Sequence, residues 1–330
     1  MKLYGVWAGA LLCCGVGLLQ AVPDTVFAQA QPRQSAAAAA GATTAQSADS
    51  GVTAGPLSLN GLKNATYSGL GHETRALSLR NGGWQGPSAV PSAASRPWVE
   101  FLGDLVARGD LDGDGREEAV VVLASNTGGT GVFHHLAVVR HETASLRNVA
   151  TRFVGDRIQV INLRIDQQRV LLELVRSGPN DPACCPTEVA TLQFRLVQGR
   201  LTPPIDIAPA SSLSVEVLAG QPWRLIAWKR GEPAPSGVSL RYEQGQFRGV
   251  AACNGYGASV QAAPSGANLK VGAPFSTRKY CEESTMAIEH RFLNLLPRVN
   301  AFGFDAGRLA LQYGEGDQAG VMLLERGPGD

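Results

Sequence analysis

Gly249-Val250-Ala251-Ala252-Cys253-Asn254-Gly255-Tyr256-Gly257 and Phe275-Ser276-Thr277-Arg278-Lys279-Tyr280-Cys281 are the two stretches on which the reading of this chain turns. Each carries a cysteine at the end of a strand-like run, a polar Pro/Ser/Gly segment separates them, and the second opens the strongest helix signal in the sequence. Ile288, Phe292, Leu295 and Leu296 recur at helical spacing. Pro297 should end or kink that helix, because proline lacks the N–H and crowds the preceding turn. Period-two alternation flanks the block. Val238, Leu240 and Tyr242 precede it; Leu309, Leu311 and Tyr313, then the run Val321 to Leu324, follow it. The last third of the chain is therefore expected to set strands around one helix.

The order Trp223-Arg-Leu, Gly249-x-x-x-Cys253-Asn254-x-Tyr256, Ser276-Thr277-Arg278-x-x-Cys281, Glu289-x-x-Phe292-Leu293 and Leu309-x-Leu311 resembles the META domain, also called HslJ-like, over residues 218–326. The resemblance implies a small α+β domain with an antiparallel sheet and one main helix. It places such domains in bacterial envelope proteins linked to stress and drug tolerance, and it brings no accepted catalytic activity. Asn254, Tyr256, Thr277, Arg278 and Glu289 stand at the family's motif positions. Two departures are Pro297, which shortens the helix, and the slight Asn-Gly-Tyr-Gly where a bulkier turn is common.

At 330 residues the chain has room for about two domains of usual size. A net charge of +1 without a basic cluster argues against a nucleic-acid partner, since such proteins concentrate Lys and Arg on one face. Residues 1–30 have the form of a cleavable export signal: Lys2, an apolar stretch from Val6 to Leu19, and the small-x-small pattern Ala28-Gln29-Ala30. The apolar run is shorter than the ~20 residues a membrane span needs, so no transmembrane segment is expected in the mature chain. Cys13 and Cys14 raise the question of a lipid anchor, but Leu12 and Cys13 stand directly before them where a lipobox has a small residue, and a cleaved, periplasmic or secreted bacterial protein is the preferred expectation. Residues 31–55 are Ala, Ser, Gln, Thr and Gly, too poor in apolar surface to offset their ordering entropy, and are read as a disordered tether.

Residues 56–205 are expected to form a β-rich domain. Ala76 to Arg80 followed by Asn81-Gly82 is a hairpin signal, because Asn-Gly suits the turn that matches strand twist. Glu118 to Leu123, His135 to Arg140, Arg157 to Ile161, Arg169 to Val175 and Ala190 to Leu196 read as strands, joined by segments too short for crossover helices. Pro, Ala and Ser then mark a linker at 206–217. The fold class as a whole is α+β.

Asp110-Leu-Asp112-Gly-Asp114-Gly-Arg116-Glu-Glu118 carries acidic groups at alternate positions with glycines that let the loop fold back. Such a loop gathers hard oxygens around a calcium ion. It resembles the short calcium loops of FG-GAP-type secreted repeats, which implies Asp110, Asp112 and Asp114 as side-chain ligands, the Arg116 carbonyl, and Glu118, around a structural Ca2+. Val121 stands where an EF-hand needs its twelfth-position glutamate.

Removing the signal leaves Cys184, Cys185, Cys253 and Cys281, which allow three pairings. Export favours oxidation. A Cys253–Cys281 bond would close a loop within one domain. Cys184 and Cys185 are adjacent, and a bond between neighbours would be strained and reducible, so they stand either as a vicinal redox pair or as inert thiols in a turn. Ser276 and Lys279 match the Ser-x-x-Lys element of penicillin-binding enzymes, but Ser-Asp-Asn and Lys-Thr-Gly companions are absent. His134 and His135 are expected at an exposed position or core edge, and His290 on a solvated helix face. These features add up to an exported, non-catalytic envelope module, not an enzyme, that binds an unidentified periplasmic ligand or protein. The competing expectation is an envelope enzyme, either a hydrolase using Ser276 and Lys279 or a thiol redox protein using Cys184 and Cys185.

Overall fold

Among the strands of this chain, one is buried at every position, and it shows how the first half is assembled. In the computed structural model, which describes residues 57–72, 76–87, 95–142, 145–182, 185–264 and 266–327, the stretch Glu118–Asn126 is buried throughout. The expected signal (1–30), the expected tether (31–55) and Cys184 lie outside the described residues. Side chains alternate faces along a strand. Val120 and Val122 accordingly enter one core, while Ala119, Val121 and Leu123 enter another.

The sheet containing that strand runs in the order β1 (Gly83–Gln85), β2 (Trp98–Gly109), β3 (Glu118–Asn126), β4 (Phe133–Glu142) and β5 (Ser145–Asp156), antiparallel throughout. One face packs on a second antiparallel sheet built from β6 (Gln159–Asp166), β7 (Arg169–Arg176) and β8 (Glu188–Phe194), with the short strands β9 (Ile205–Asp206) and β10 (Ser211–Ser212) both paired to β8. Leu163, Val170, Leu172, Leu192 and Phe194 fill the space between the sheets. The other face is covered by the preceding segment, where helix α1 (Leu59–Lys63) and Tyr67 bring Leu57, Leu62, Tyr67 and Leu79 onto Val121 and Val139. Fully burying such side chains is worth roughly 1.5–3 kcal/mol each.

The Asn81-Gly82 signal is realised as a turn with both residues at positive φ, 51° and 87°, closed by reciprocal hydrogen bonds between Arg80 and Gly83. Its two arms then part. Leu77–Ser78 pairs with Thr66–Tyr67, and β1 pairs with β2. The strands expected at Glu118, His135 and Arg169 appear as β3, β4 and β7 with longer bounds, and the one expected at Ala190 appears as β8 shifted two residues towards the N-terminus. The one expected at Arg157 begins at Gln159, because Arg157 sits at φ 52° in the turn before it.

The last third is a single antiparallel sheet. It takes the order β15 (Leu269–Val271), β14 (Asn254–Ala262), β13 (Gln246–Ala251), β12 (Ser239–Glu243), β11 (Trp223–Lys229), β19 (Gly320–Arg326), β18 (Arg308–Tyr313) and β17 (Val299–Asp305), with β16 (Phe275–Ser276) also on β14. Its two ends approach each other: Phe302 N donates to Ala267 O at 2.9 Å and Asn268 bridges Ala301. The sheet thus rolls towards a barrel. Helix α2 (Glu283–Leu295) packs Phe292 into it, and Pro297 falls in the 3-10 turn that ends the helix. Across the described residues the chain is mostly antiparallel β-structure with few helices.

The rolled sheet does not stand apart from the preceding strands. Ile161 of β6 and Val175 of β7 are part of its apolar core. Gln159 Oε1 accepts from Phe304 N at 2.9 Å, Gly307 N donates to Val160 O at 2.9 Å, and Arg326 Nη2 donates to Ile161 O at 3.4 Å. The stretch 206–217, read as a linker, carries β9's Asp206 and β10, and places Leu213 and Val215 in the same core. The described residues, 57–327, pack as one unit.

His134 and His135 lie inside this structure, 7% and 4% exposed, not at a solvated edge. A register shift in the β4–β5 pairing separates them, and His135 meets the Phe153 ring edge-on at 5.6 Å. Burial, ahead of any neighbour's charge, pushes both imidazoles down to about 4.

Two predictions follow from this packing. Gln159→Ala leaves Phe304 N without its acceptor and should lower unfolding stability by about 1–3 kcal/mol, the cost of an unsatisfied buried group. Gln159→Glu, which keeps an acceptor oxygen, should lose less, and denaturant titration of the two variants checks the order. For the histidines, the unfolded chain binds protons near pH 6.5 while the folded one does so only near 4. Their contribution is complete above pH 6.5 and is lost as pH falls towards 4. Melting temperature should therefore drop across that window, and His135→Gln should flatten the drop.

Candidate functional site

The hairpin between β13 and β14 turns through Ala252 and Cys253, with Ala251 opposite Asn254 and Ala252 at φ 63°. This tight turn delivers Asn254 inward, where it is 1% exposed. Glu289, on the inner face of α2, is 4% exposed and reaches the same point. A charged residue in a helix usually faces water, but Glu289 stands three residues before Phe292 and seven before Leu296, on the apolar side of the helix. Its neighbour His290 is exposed.

The two side chains satisfy each other. Asn254 N donates to Glu289 Oε2 at 2.9 Å, and Asn254 Nδ2 donates to both carboxylate oxygens at 3.1 Å. Nδ2 also donates to Lys279 O at 3.1 Å. On the other side of the amide, Oδ1 accepts from Thr277 Oγ1 at 2.6 Å and from Lys279 N at 2.7 Å. Every polar atom of the amide is occupied, and only one orientation works. Turning the group over would face its NH2 against the Lys279 N–H and its carbonyl oxygen against the Glu289 carboxylate. The arrangement also rejects aspartate, which has no donor for Glu289.

A disulfide joins Cys253 to Cys281 across a separation of 28 residues, beside this network. In the chain-entropy account such a loop is worth roughly 3–4 kcal/mol. Hairpin tip, loop 275–281 and helix are thereby tied at one point. Tyr256, one turn further in, is buried against Phe292, ring centroids 5.2 Å apart, and its hydroxyl donates to Ser239 O at 3.1 Å. Burial pushes its phenol far up. Arg291 anchors the far side of α2: its guanidinium lies 4.6 Å above the Trp228 ring and pairs with Glu232 at 2.7 Å.

Of the motif positions, Asn254, Tyr256, Thr277 and Glu289 converge here, while Arg278 is exposed. The loop that carries it presents Phe275, 65% exposed, and Tyr280, 93% exposed, to solvent. Lys279 contributes through its main chain, a role for which its side chain gives no sequence signal. Among the described residues no hydrogen bond joins Ser276 Oγ to Lys279 Nζ. Residues 216–325 match the family model of the META domain. A META domain is present.

That match covers about a third of the 330 residues. No curated protein and no solved structure shows a significant match to the chain. The clasp between Cys253, Asn254 and Glu289 lies within the matched residues.

The other residues singled out lie elsewhere. Cys185 is half-buried and disulfide-bonded, in a turn where its N–H donates to Pro182 O at 3.0 Å. Asp181 closes that turn by accepting from Gly178 N, Thr187 N and Thr187 Oγ1 at 2.6–2.8 Å. In the acidic loop between β2 and β3, Asp110 accepts from Gly113 N at 2.7 Å and Gly115 N at 3.0 Å, with both glycines at φ near 80°. Asp114 Oδ1 is taken by Arg116 N at 2.8 Å. Asp110, Asp112 and Glu118 form a cluster whose carboxylates could share a metal ion. Burial first, then the charges of Asp112, Asp114 and Asp110, holds the Glu118 carboxyl above its ordinary range.

Asn254→Ala should cost about 1–3 kcal/mol, because it leaves Glu289 Oε1 without its donor inside the protein, while Asn254 N still serves Oε2 and Thr277 and Lys279 lie on an exposed loop where water can replace the lost bonds. Asn254→Asp should cost at least as much by placing a second carboxylate against the first. Urea titration of the oxidised protein measures both.

Proposed function

We propose that this is an exported, non-catalytic module of the bacterial cell envelope, in which a β-rich region supports an α+β META domain that binds a periplasmic ligand or protein. The observation that carries this is the closed clasp: the META motif's polar groups are consumed in holding the hairpin, the helix and loop 275–281 in one geometry. A motif spent on internal hydrogen bonds has no free base or nucleophile to offer. What it yields is a tethered loop that presents Phe275 and Tyr280 to solvent, and aromatic side chains such as tyrosine are enriched among the residues that dominate binding energy.

The disulfide fits an oxidising compartment. No helix among the described residues is long and apolar enough to cross a membrane. The form of residues 1–30 supports export with cleavage after Ala28 or Ala30.

The protein expressed with its own N-terminus should fractionate with the periplasm, start at Gln29 or Gln31, and show Cys253 and Cys281 linked in non-reducing peptide maps. Active-site probes for serine hydrolases, a fluorescent penicillin and a fluorophosphonate, should leave it unlabelled. Labelling that disappears in Ser276→Ala would overturn the non-catalytic reading in favour of a hydrolase.

A further inference from the structure

The core between the two sheets of the first half is open to solvent at one margin. A cleft of about 370 Å3 lies there, between the turn that joins β5 to β6, the C-terminal end of β7 and β8. Small-molecule sites run from ~300 to ~1,000 Å3, so this one suits a small ligand. Its floor is the core itself. Ile158, Leu174 and Leu192 are buried members of the apolar cluster that fills the sandwich, and a polar solute gains nothing from them.

Two guanidinium groups stand at the mouth. Alternate residues of a strand share a face, so Arg176 follows Leu172 and Leu174 on the core-facing side of β7 and ends that apolar row with a charge. Arg157 comes from the turn, at φ 52°, a left-handed conformation for which glycine is the default residue. Its Nη1 donates to Asp156 Oδ2 at 2.6 Å and its Nη2 to Thr130 O at 2.7 Å. Arg176 Nε donates to Glu188 Oε1 at 2.6 Å, and its Nη1 and Nη2 reach Asp206 Oδ2 more loosely, at 3.4 and 3.3 Å.

The balance of donors and acceptors decides what the mouth can hold. Asp156 is the carboxylate in the lining, and it is spent: Oδ2 takes Arg157, and Oδ1 takes Val132 N at 2.8 Å. A guanidinium carries more N–H donors than the two that Arg157 uses, and exposed Ser177 adds a hydroxyl. Donors and positive charge are therefore left over at the mouth, above an apolar floor. A molecule that fits both brings hydrogen-bond acceptors at one end and hydrocarbon at the other. Carboxylate is the acceptor whose two oxygens match the planar fork of a guanidinium.

We propose that this cleft binds a small amphiphilic monocarboxylic acid, with its chain on Ile158, Leu174 and Leu192 and its carboxylate on Arg157 and Arg176. Glu188 and Asp206 hold Arg176 from outside the lining, and Asp206 competes with the ligand for it. The site is separate from the aromatic loop of the META domain and does not depend on that domain's being a binding module.

The test titrates sodium octanoate, kept below its micelle concentration, into the mature full chain in a calorimeter, with melting curves recorded alongside. Octanoate should bind saturably at a single site per chain. Octanol and octylamine keep the chain but not the anion, and should bind about tenfold or more weakly. Arg157→Gln should weaken octanoate by about the same factor and leave octanol unchanged. Asp206→Asn should strengthen octanoate binding, which a merely apolar cleft would not show. Ser177→Trp, at an exposed rim position, should block the cleft and abolish binding without lowering the melting temperature. Arg176→Gln removes the second guanidinium; should it fail to fold, Arg157→Gln and Asp206→Asn still decide the matter. Octanoate and octanol binding equally well would overturn the proposal. So would absence of octanoate binding, or Ser177→Trp binding octanoate as the parent does.

Discussion

A carboxylate inside a protein must find donors, and the C-terminal fold is arranged so that Glu289 finds them in a single asparagine. The hydrogen bonds between Asn254 and Glu289 require the hairpin tip, the helix and the loop after β16 to meet at one place. Once they meet, the remaining geometry has little freedom. The Cys253–Cys281 bond spans the same junction, and the Tyr256 and Phe292 rings meet edge to face where the helix packs on the sheet. Apolar burial supplies most of the stability of this region. The polar clasp supplies its uniqueness, since any slip of the helix along the sheet would strand a buried charge.

Much of this was legible in the sequence, and what escaped did so for identifiable reasons. The helix announced itself through Ile288, Phe292 and Leu296, because an amphipathic period is local. The turn at Asn81-Gly82 was equally plain, since backbone sterics select those residues. β2 was missed because Gly103, at φ 58°, lies in an irregular stretch where the pairing register shifts between Phe101 and Val106, and the alternation changes phase there. β5 was missed because it is a mostly half-exposed edge strand with polar residues on both faces. The META motif positions were visible as letters. Their purpose was not, because the burial of Glu289 depends on a partner 35 residues away.

The acidic loop shows the opposite balance. Its alternating aspartates stood out at once, but the pattern treats Asp110, Asp112 and Asp114 alike. In the fold they differ. Asp110 organises the turn, Asp114 caps Arg116 N, and Asp112 faces Arg140, while the buried oxygen belongs to Glu118 at the end of the motif. Spacing reports which groups are near each other along the chain; only burial reports which of them lacks a partner.

The seam between the two halves has a bearing on heredity. Ile161 and Val175 are inserted from one half into the core of the other, and Gln159 and Val160 occupy main-chain groups at the turn between β17 and β18. A shuffled gene that carried the rolled sheet into a new neighbourhood would arrive with a hole in its flank and two unmet N–H groups. A change of volume at Ile161 is therefore felt inside the core of the rolled sheet, which holds Phe304 and Trp223.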